Sequence, residues 1–234
     1  MTEQSRLFNR RTVLKMCALV SLGSALGIAG IAPKTTAAPK KTLELNFQGN
    51  RQRSSLLWIK QMGFIYDQGK CIGCHACEGA CKLTNHWDEG AHWRRVLTKG
   101  TGTTKTYLSI SCNHCSNPAC VNVCPVHAYH KRPEDGIVVH DPEKCIGCGY
   151  CRYACPYQAP QFSEETGRIS KCHFCYKRQE AGQVPACVQA CPMGALNYGE
   201  MAELVKTTGG ERQVNGLPDA SLTGPSLVII PQKS

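Results

Sequence analysis

The chain has 234 residues, of which 17 are cysteines, and its 27 lysines and arginines against 17 aspartates and glutamates give a formal net charge of +10. This density of cysteine excludes a generic cytosolic enzyme, and a hydrophobic content of 42% excludes intrinsic disorder. The positive charge taken alone is typical of proteins that bind nucleic acid or a membrane surface.

The first 38 residues are predicted to be an export signal. Arg10 and Arg11 stand ahead of a mildly apolar run at 16–32, an order that resembles a twin-arginine signal, although Asn9 and Val13 depart from its usual form. The run is short for a membrane span, which needs about 20 strongly apolar residues. An uncleaved membrane anchor is the alternative. With this signal we expect a peripheral protein in the periplasm or on the outer face of the cytoplasmic membrane.

The following elements are short and joined by long loops, which favours an α+β fold. A polar linker is predicted at 39–61 and a first strand at 62–66. Residues 86–102, rich in tryptophan and charge, are interpreted as an insertion before a strand at 107–110. Another strand is predicted at 136–140, between two prolines, and a short helix at 200–206. The segment 199–234 is expected to be a tail that runs over a partner.

Sixteen of the cysteines fall into four groups of four. Groups one and three are C-x2-C-x2-C-x3-C runs, whereas groups two and four have a longer second gap. Proline follows the last cysteine in three groups, and Lys82 takes its place in group one. The groups in chain order are Cys71, Cys74, Cys77 and Cys81; Cys112, Cys115, Cys120 and Cys124; Cys145, Cys148, Cys151 and Cys155; and Cys172, Cys175, Cys187 and Cys191.

This spacing is that of iron–sulfur ligands. Three close cysteines let the backbone wrap around one face of a cubane cluster, while the fourth binds the other cluster of a pair, as in two-cluster ferredoxins. Gly73 and Gly147 permit a close approach because glycine accepts a positive φ. The pattern predicts four [4Fe–4S] clusters held by all sixteen cysteines. Their negative charge would offset the basic excess, so nucleic acid is not expected as a partner.

Two other uses of the cysteines remain open. Structural zinc is also bound by four cysteines, but typically through two separated C-x2-C pairs. Disulfides are common in exported proteins, yet such close sequence neighbours are poor partners for one another. Proteins that follow the twin-arginine route are exported already folded and loaded with cofactor, which favours metal.

Six residues next to the cysteines could bind a cluster or tune its potential. His75, His114 and His173 are interpreted as spacers, because cubane clusters are normally held by thiolates. A lysine precedes the first cysteine in three groups. These lysines would either raise cluster potentials or simply be solvated; they are Lys70, Lys144 and Lys171.

Several stretches resemble the four-cluster iron–sulfur subunits of the dimethyl sulfoxide reductase family. They include Lys-Cys-Ile-Gly-Cys at 70–74, Ser-Ile-Ser-Cys-Asn-His-Cys at 109–115, Asp-Gly-Ile-Val-Val at 135–139 and the tail 225–231. The resemblance covers about 64–231. It implies an electron-transfer subunit of anaerobic respiration without catalytic residues of its own.

The partners implied by the resemblance are a large molybdopterin catalytic subunit, which reduces a sulfoxide or N-oxide, and a membrane anchor subunit that oxidises quinol. A signal on this subunit itself is a departure from the family. Nitrite, tetrathionate, polysulfide and hydrogenase complexes therefore stay open, as do a free polyferredoxin and a zinc-bound interaction module.

The resemblance also implies two nested ferredoxin-like modules, one from 62–111 and 157–198 and the other from 112–156. It implies four cluster sites, with the first near the catalytic subunit and the site of Cys112 near the membrane subunit. The first site is Cys71, Cys74, Cys77 and Cys191; the second is Cys81, Cys172, Cys175 and Cys187; the third is Cys112, Cys115, Cys120 and Cys155; and the fourth is Cys124, Cys145, Cys148 and Cys151.

Overall fold

The computed structural model describes residues 60–102, 105–214 and 216–232. The predicted export signal and nearly all of the predicted linker lie outside these ranges. Within them, no helix has the length and apolar character that a membrane crossing requires.

The described residues form short strands and short helices, numbered here in chain order. The strands are β1 (Met62–Asp67), β2 (Arg94–Lys99), β3 (Thr106–Ser111), β4 (Tyr129–Lys131), β5 (Val138–His140), β6 (Gln161–Phe162), β7 (Ile169–Ser170), β8 (Leu196–Glu200) and β9 (Leu227–Ile230). The helices are α1 (Ala76–Asn85), α2 (Ala119–Asn122), α3 (Tyr150–Ala154), α4 (Tyr176–Glu180), α5 (Ala186–Gln189) and α6 (Met201–Thr208). The strands expected near 62, 107 and 136 and the helix near 200 are confirmed.

A three-stranded sheet has β1 at its centre. It pairs antiparallel with β8, with Phe64 opposite Tyr198, and parallel with β9, with Phe64 opposite Leu227. Phe64 and Tyr66 are only 2% and 1% exposed, because alternate residues of a strand point to one face. The sheet therefore carries a buried apolar face just before the first cysteine group.

β9 lies in the segment that the sequence assigns to a tail. Its residues Leu227, Val228 and Ile229 are at most 3% exposed, and they pack within the chain's own sheet. This end of the tail thus completes the core of the chain itself. That the rest of the segment 199–234 covers a partner stays a prediction.

β2 lies inside the segment interpreted as an insertion. It pairs antiparallel with β3, placing Arg94 opposite Ser111. Arg94 is 1% exposed, so a core-facing position of this strand holds a charged residue. That is why the alternation of apolar and polar residues, which normally reveals a strand, is missing from the sequence here.

Helix length depends on the residue after the last cysteine of each group. In the three groups with proline the nearby helices have four or five residues, whereas α1, with Lys82 in that place, continues for ten residues to Asn85. Proline lacks an N–H and cannot continue a helix. The mixture of short helices and small sheets agrees with the α+β prediction, while the nesting of two modules stays a prediction.

Candidate metal centres

Each cysteine group bends at the residue before its second cysteine. That residue has a positive φ in all four groups: 68° at Gly73, 42° at His114, 71° at Gly147 and 60° at Phe174. The expectation for the two glycines is confirmed, and a Cβ on Gly73 would collide with the ring of Tyr107. His114 and Phe174 adopt the same bend although it disfavours side chains. Both are 1% exposed, so tight packing holds the bend in place.

A second bend follows the Cys-Pro pairs. The N–H groups of His127, Gln158 and Gly194 donate to the carbonyls of Cys124, Cys155 and Cys191, at 3.3, 3.0 and 3.2 Å. All three donors have a positive φ. Proline suits the second position of such turns, and the turn directs the chain away from the last cysteine of each group.

The four cysteines of the first site line one cavity. Cys71, Cys74, Cys77 and Cys191 surround an empty volume of about 350 Å³, together with Tyr66 and Ser109. Cys191 comes from group four and the other three from group one. Cys74 is exposed, so this cavity reaches the surface.

The third and fourth sites have cavities of the same kind. Cys112, Cys115, Cys120 and Cys155 line about 370 Å³. Cys124, Cys145, Cys148 and Cys151 line about 270 Å³. In each case three cysteines come from one group and the fourth comes from the other. Cys148 is exposed, whereas Cys112 and Cys120 are buried.

The second site is the most enclosed. Cys81, Cys172, Cys175 and Cys187 are all buried, at 4–6% exposure. The amide of Asn85 donates to Sγ of Cys81 at 3.4 Å and to Sγ of Cys175 at 3.9 Å, although the two cysteines are far apart in the chain. The extra turn of α1, which exists because Lys82 replaces proline, brings this amide to the two sulfurs.

Burial makes these thiols reluctant to ionise as free groups. It raises the pKa of Cys172 to about 12, with a further rise from the neighbouring Cys112, and it raises the pKa of Cys115 to about 11. For Cys81, burial and then the neighbouring thiols Cys172 and Cys187 also raise the pKa. As thiolates, the form that binds iron, these cysteines need a metal centre to compensate their charge, and their crowding is consistent with a cluster.

Polar atoms without a partner are consistent with such a centre. Among the described residues, the buried Tyr157 Oη, Thr223 Oγ1 and His114 Nε2 lack a hydrogen-bond partner and belong to residues that line the third cavity. Tyr129 Oη and His140 Nε2 also lack a partner and belong to residues that line the fourth cavity. Buried polar groups are normally paired, and cluster sulfurs accept hydrogen bonds. The residues present therefore fit iron–sulfur clusters.

A site for a single metal ion has a different geometry. Within 60–102, 105–214 and 216–232, no three cysteine, histidine, aspartate or glutamate side chains converge closely enough to bind one ion. The cysteines instead surround cavities.

The sites follow one another in a row. Cys187 of the second site packs in one apolar cluster with Cys71 and Cys77 of the first. Cys172 of the second packs with Cys112 and Cys155 of the third. Cys120 of the third packs with Cys124 and Cys151 of the fourth, which completes the order first, second, third, fourth.

The resemblance implies that the site of Cys112 lies near a membrane subunit, and this stays a prediction. In the row, the site lies between the second and fourth sites, with Cys112 only 7% exposed. The ends of the row are the first and fourth sites, where Cys74 and Cys148 are exposed.

The three lysines that the sequence treats alike differ in the structure. The side chains of Lys70 and Lys144 are 60% and 63% exposed and form ion pairs with Asp67 and Asp141. Lys171 is 3% exposed and lines the third cavity. Arg94, which sequence reasoning missed, is also buried, and only its place beside Ser109 and Ser111 in the hairpin reveals it.

The three histidines beside the cysteines have other contacts in the structure, and their interpretation as spacers stays a prediction. His75 pairs with Glu78 at the surface. His114 Nδ1 accepts a hydrogen bond from the N–H of Val138 at 3.1 Å. The ring of His173 packs against Trp93 and Tyr176, and burial, with help from the charge of Lys171, lowers its pKa to about 4.

Comparison with known proteins gives matches to two family models. A 4Fe-4S dicluster domain matches residues 103–201, and a 4Fe-4S binding domain matches residues 68–86. Together the matches include all four cysteine groups, and they support the prediction of [4Fe–4S] clusters.

Several curated proteins are similar over much of the chain. One chain of the anaerobic dimethyl sulfoxide reductase of Escherichia coli (strain K12) is 45% identical over 183 residues, which are 73% of this chain and 89% of that protein. The formate dehydrogenase iron-sulfur subunit of Wolinella succinogenes is 43% identical over 161 residues, 58% of this chain and 80% of that protein. One subunit of the tetrathionate reductase of Salmonella typhimurium is 43% identical over 145 residues, 59% and 58% of the two proteins.

Proposed function

Because this chain is a member of the family of four-cluster iron–sulfur subunits found in dimethyl sulfoxide reductase, we propose that it relays electrons from a quinol-oxidising membrane subunit to a molybdopterin subunit that reduces a sulfoxide or N-oxide. It is an electron-transfer subunit with four [4Fe–4S] clusters and is not catalytic on its own. Its relatives are subunits of reductase and dehydrogenase complexes, which implies a catalytic partner.

The observation that carries the relay is the row of four sites with an exposed cysteine at each end. The clusters, when bound, accept and donate one electron each without changing their ligands. The chain's own residues hold them at fixed positions and keep water away from the two middle sites. Six of the eight cysteines of those middle sites are buried: Cys81, Cys112, Cys120, Cys172, Cys175 and Cys187.

The ligand sets remain those implied by the resemblance, with three cysteines from one group and one from its partner group at every site. Three cavities, each lined by the four cysteines of one set, support them. The contacts of Asn85 with Cys81 and Cys175 support the set of the second site.

The two ends of the row would face different partners. At the first site, Ile72 and Met193 are 56% and 48% exposed beside Cys74. At the fourth site, Ile146 lines the cavity with Cys148 and is 64% exposed, and Tyr153, which is 86% exposed, lies near Gly149. Exposed apolar patches mark interaction sites. We assign the first end to the molybdopterin subunit and the fourth end to the membrane anchor, with the complex exported by the twin-arginine route to the outer face of the membrane.

A formate-oxidising complex is the second candidate. The similarity to the formate dehydrogenase subunit of Wolinella succinogenes, at 43% identity, favours it. In such a complex electrons would enter at the first site and leave at the fourth, with the same row of clusters.

Anaerobic purification from native membranes through a C-terminal tag tests the proposal. We expect about sixteen irons on this chain, four for each cluster, together with molybdenum and a large subunit in the same peak. Turnover with a sulfoxide or N-oxide, but not with formate, nitrite or tetrathionate, would support the main candidate. Full iron without molybdenum or a large subunit would contradict it.

A further inference from the structure

Two buried cations lie between neighbouring sites, and neither has a carboxylate partner. Arg94 is 1% exposed and Lys171 is 3% exposed. Among the described residues, none of the salt bridges involves either side chain. A buried charge is strongly unfavourable unless an opposite charge compensates it. The compensating negative charge must therefore come from the cysteine sites around the two side chains.

Arg94 lies between the first and second sites. Its Nη1 donates to Ser109 Oγ at 3.0 Å and its Nη2 to Ser111 Oγ at 2.9 Å. Ser109 Oγ is itself 3.5 Å from Sγ of Cys77, a first-site cysteine. The guanidinium also stacks over the ring of Phe64, 4.6 Å from its centre. These contacts fix the charge in one orientation.

The second site is equally close to Arg94. The guanidinium interacts with Cys187, Cys172 and Cys81 of that site as well as with Cys77 of the first. Arginine is not deprotonated in proteins, even where it is buried. Arg94 therefore keeps its charge in the interior.

Lys171 has the corresponding position between the second and third sites. It precedes Cys172 of the second site, and its Nζ donates to the carbonyl of Cys172 at 3.0 Å and to the carbonyl of Val138. It lines the cavity of the third site and interacts with Cys120 and Cys155 there. No equivalent buried cation touches only the fourth site among the described residues.

We propose that Arg94 and Lys171 are potential-setting residues, each raising the reduction potentials of the two clusters that flank it. A fixed positive charge in a low-dielectric interior stabilises the added electron on each neighbour. The second cluster lies beside both of these cations and should respond to the loss of either, whereas the cysteines of the fourth site are not among their neighbours. This inference rests on the proposed ligand sets.

The test is a potentiometric titration of the purified complex, followed by electron paramagnetic resonance. One variant of the second cysteine of each group first assigns the four midpoints to sites; these variants are Cys74→Ser, Cys115→Ser, Cys148→Ser and Cys175→Ser. Arg94→Gln removes the charge and leaves a polar side chain. Lys171→Met removes the other charge and keeps most of the length of the side chain.

We expect Arg94→Gln to lower the midpoints of the first and second clusters, and Lys171→Met to lower those of the second and third. Each shift should correspond to at least a tenfold change in the redox equilibrium, about 59 mV for one electron. Iron content should stay unchanged in variants that fold. Arg94→Lys and Lys171→Arg keep the charge. Their midpoints should differ from those of the wild-type complex by less than half of that shift.

Two exposed lysines provide matched controls. Lys70→Met and Lys144→Met remove the same charge next to Cys71 and Cys145, but solvent screens both positions, so the midpoints should not move. If a neutral variant loses iron, the midpoints of the charge-retaining variant of the same residue are used instead. Midpoints equal to those of the wild type support the proposal, and midpoints shifted by the full amount overturn it.

Midpoints unchanged in both neutral variants, or an equal shift of all four clusters, would overturn the role of the cations. That result would leave the relay itself intact. A different result is expected if the proposed relay itself is wrong. The four cysteine variants would then not change four separate midpoints, one for each site.

Discussion

The outer sites and the inner sites of this chain are built differently. In the proposed ligand sets, the first and fourth sites draw three cysteines from the compact runs of groups one and three, whereas the second and third draw three from the stretched groups two and four. In the compact runs the residue after the first cysteine is Ile72 or Ile146, 56% and 64% exposed. Asn113 occupies the same place in group two and is 3% exposed. The longer gaps thus accompany burial, and the short runs place a cluster site near the surface.

The bends of the two classes differ in the same way. Glycine makes the bend at the outer sites, and the buried His114 and Phe174 make it at the inner ones. An outer site therefore depends on a residue without a side chain, while an inner site depends on packing that overcomes backbone strain. Damage to inner sites should spread further than damage to outer sites.

Removal of iron should have the largest effect. The cysteines of the inner sites form part of the apolar clusters, so without metal the core contains crowded thiols that have lost their shared partner. We expect the chelated chain to lose its cooperative thermal transition in circular dichroism. A sharp transition that survived complete iron removal would contradict this dependence.

The loss of one cysteine should lower the iron content more at an inner site than at an outer site. Cys172→Ala affects a buried cysteine that packs against Cys112 of the next site, so we expect fewer than about eight irons per chain, the content of two clusters. Cys74→Ala affects an exposed cysteine at one end. It should retain about twelve irons or more.

Iron analysis of the two purified variants provides the measurement. Equal losses in both variants would show that the inner sites are no more central to assembly than the outer ones.

Truncation of a bend residue should have a smaller effect. Phe174 is 1% exposed and its ring packs against that of Phe64 in a tilted arrangement, with ring centres 4.2 Å apart. Phe174→Ala should lower the free energy of unfolding by about 3–5 kcal/mol, as for other buried aromatic residues. Ile146→Ala at an outer site should change it by no more than about 0.5 kcal/mol. Thermal loss of cluster absorbance compares the two.

The smallest predicted effect concerns the missing proline of group one. Lys82→Pro should end α1 at Cys81 and cost about 3 kcal/mol, because proline removes a helical hydrogen bond. It should also remove the contacts of Asn85 with Cys81 and Cys175 and so perturb the resonance of the second cluster. Lys82→Ala is the control and should cost less than about 1 kcal/mol, since its ion pair with Glu89 is exposed. If the resonance of the second cluster in Lys82→Pro equals that of the wild type, the extra helical turn is dispensable.

Cysteine spacing is local information, and for that reason the cluster type and the bends at Gly73 and Gly147 could be predicted from the sequence. The strands at 62–67 and 106–111 were also predictable, because their apolar residues alternate or run together. β2 was missed because Arg94 occupies a core-facing position. β9 was not separated from the tail because its pairing with β1 joins residues far apart in the chain.

The burial of the two cations could not be predicted from the sequence either. Lys70, Lys144 and Lys171 are equivalent in the sequence, each preceding a first cysteine, and only tertiary packing separates the buried one from the two exposed ones. The order of the sites also depends on contacts between groups. For that reason the interior position of the site of Cys112 could not be predicted from the sequence.

The central claim is that the two outer sites are the ends of the relay and face different partners. A photo-crosslinking amino acid placed at Ile72 or at Ile146 in the intact membrane complex tests it most directly, with Val184, 36% exposed and remote in sequence from both ends, as a control position. We predict that Ile72 crosslinks to the large catalytic subunit and Ile146 to a small membrane subunit. Crosslinks from both positions to the same subunit, or from neither to any subunit, would contradict the account.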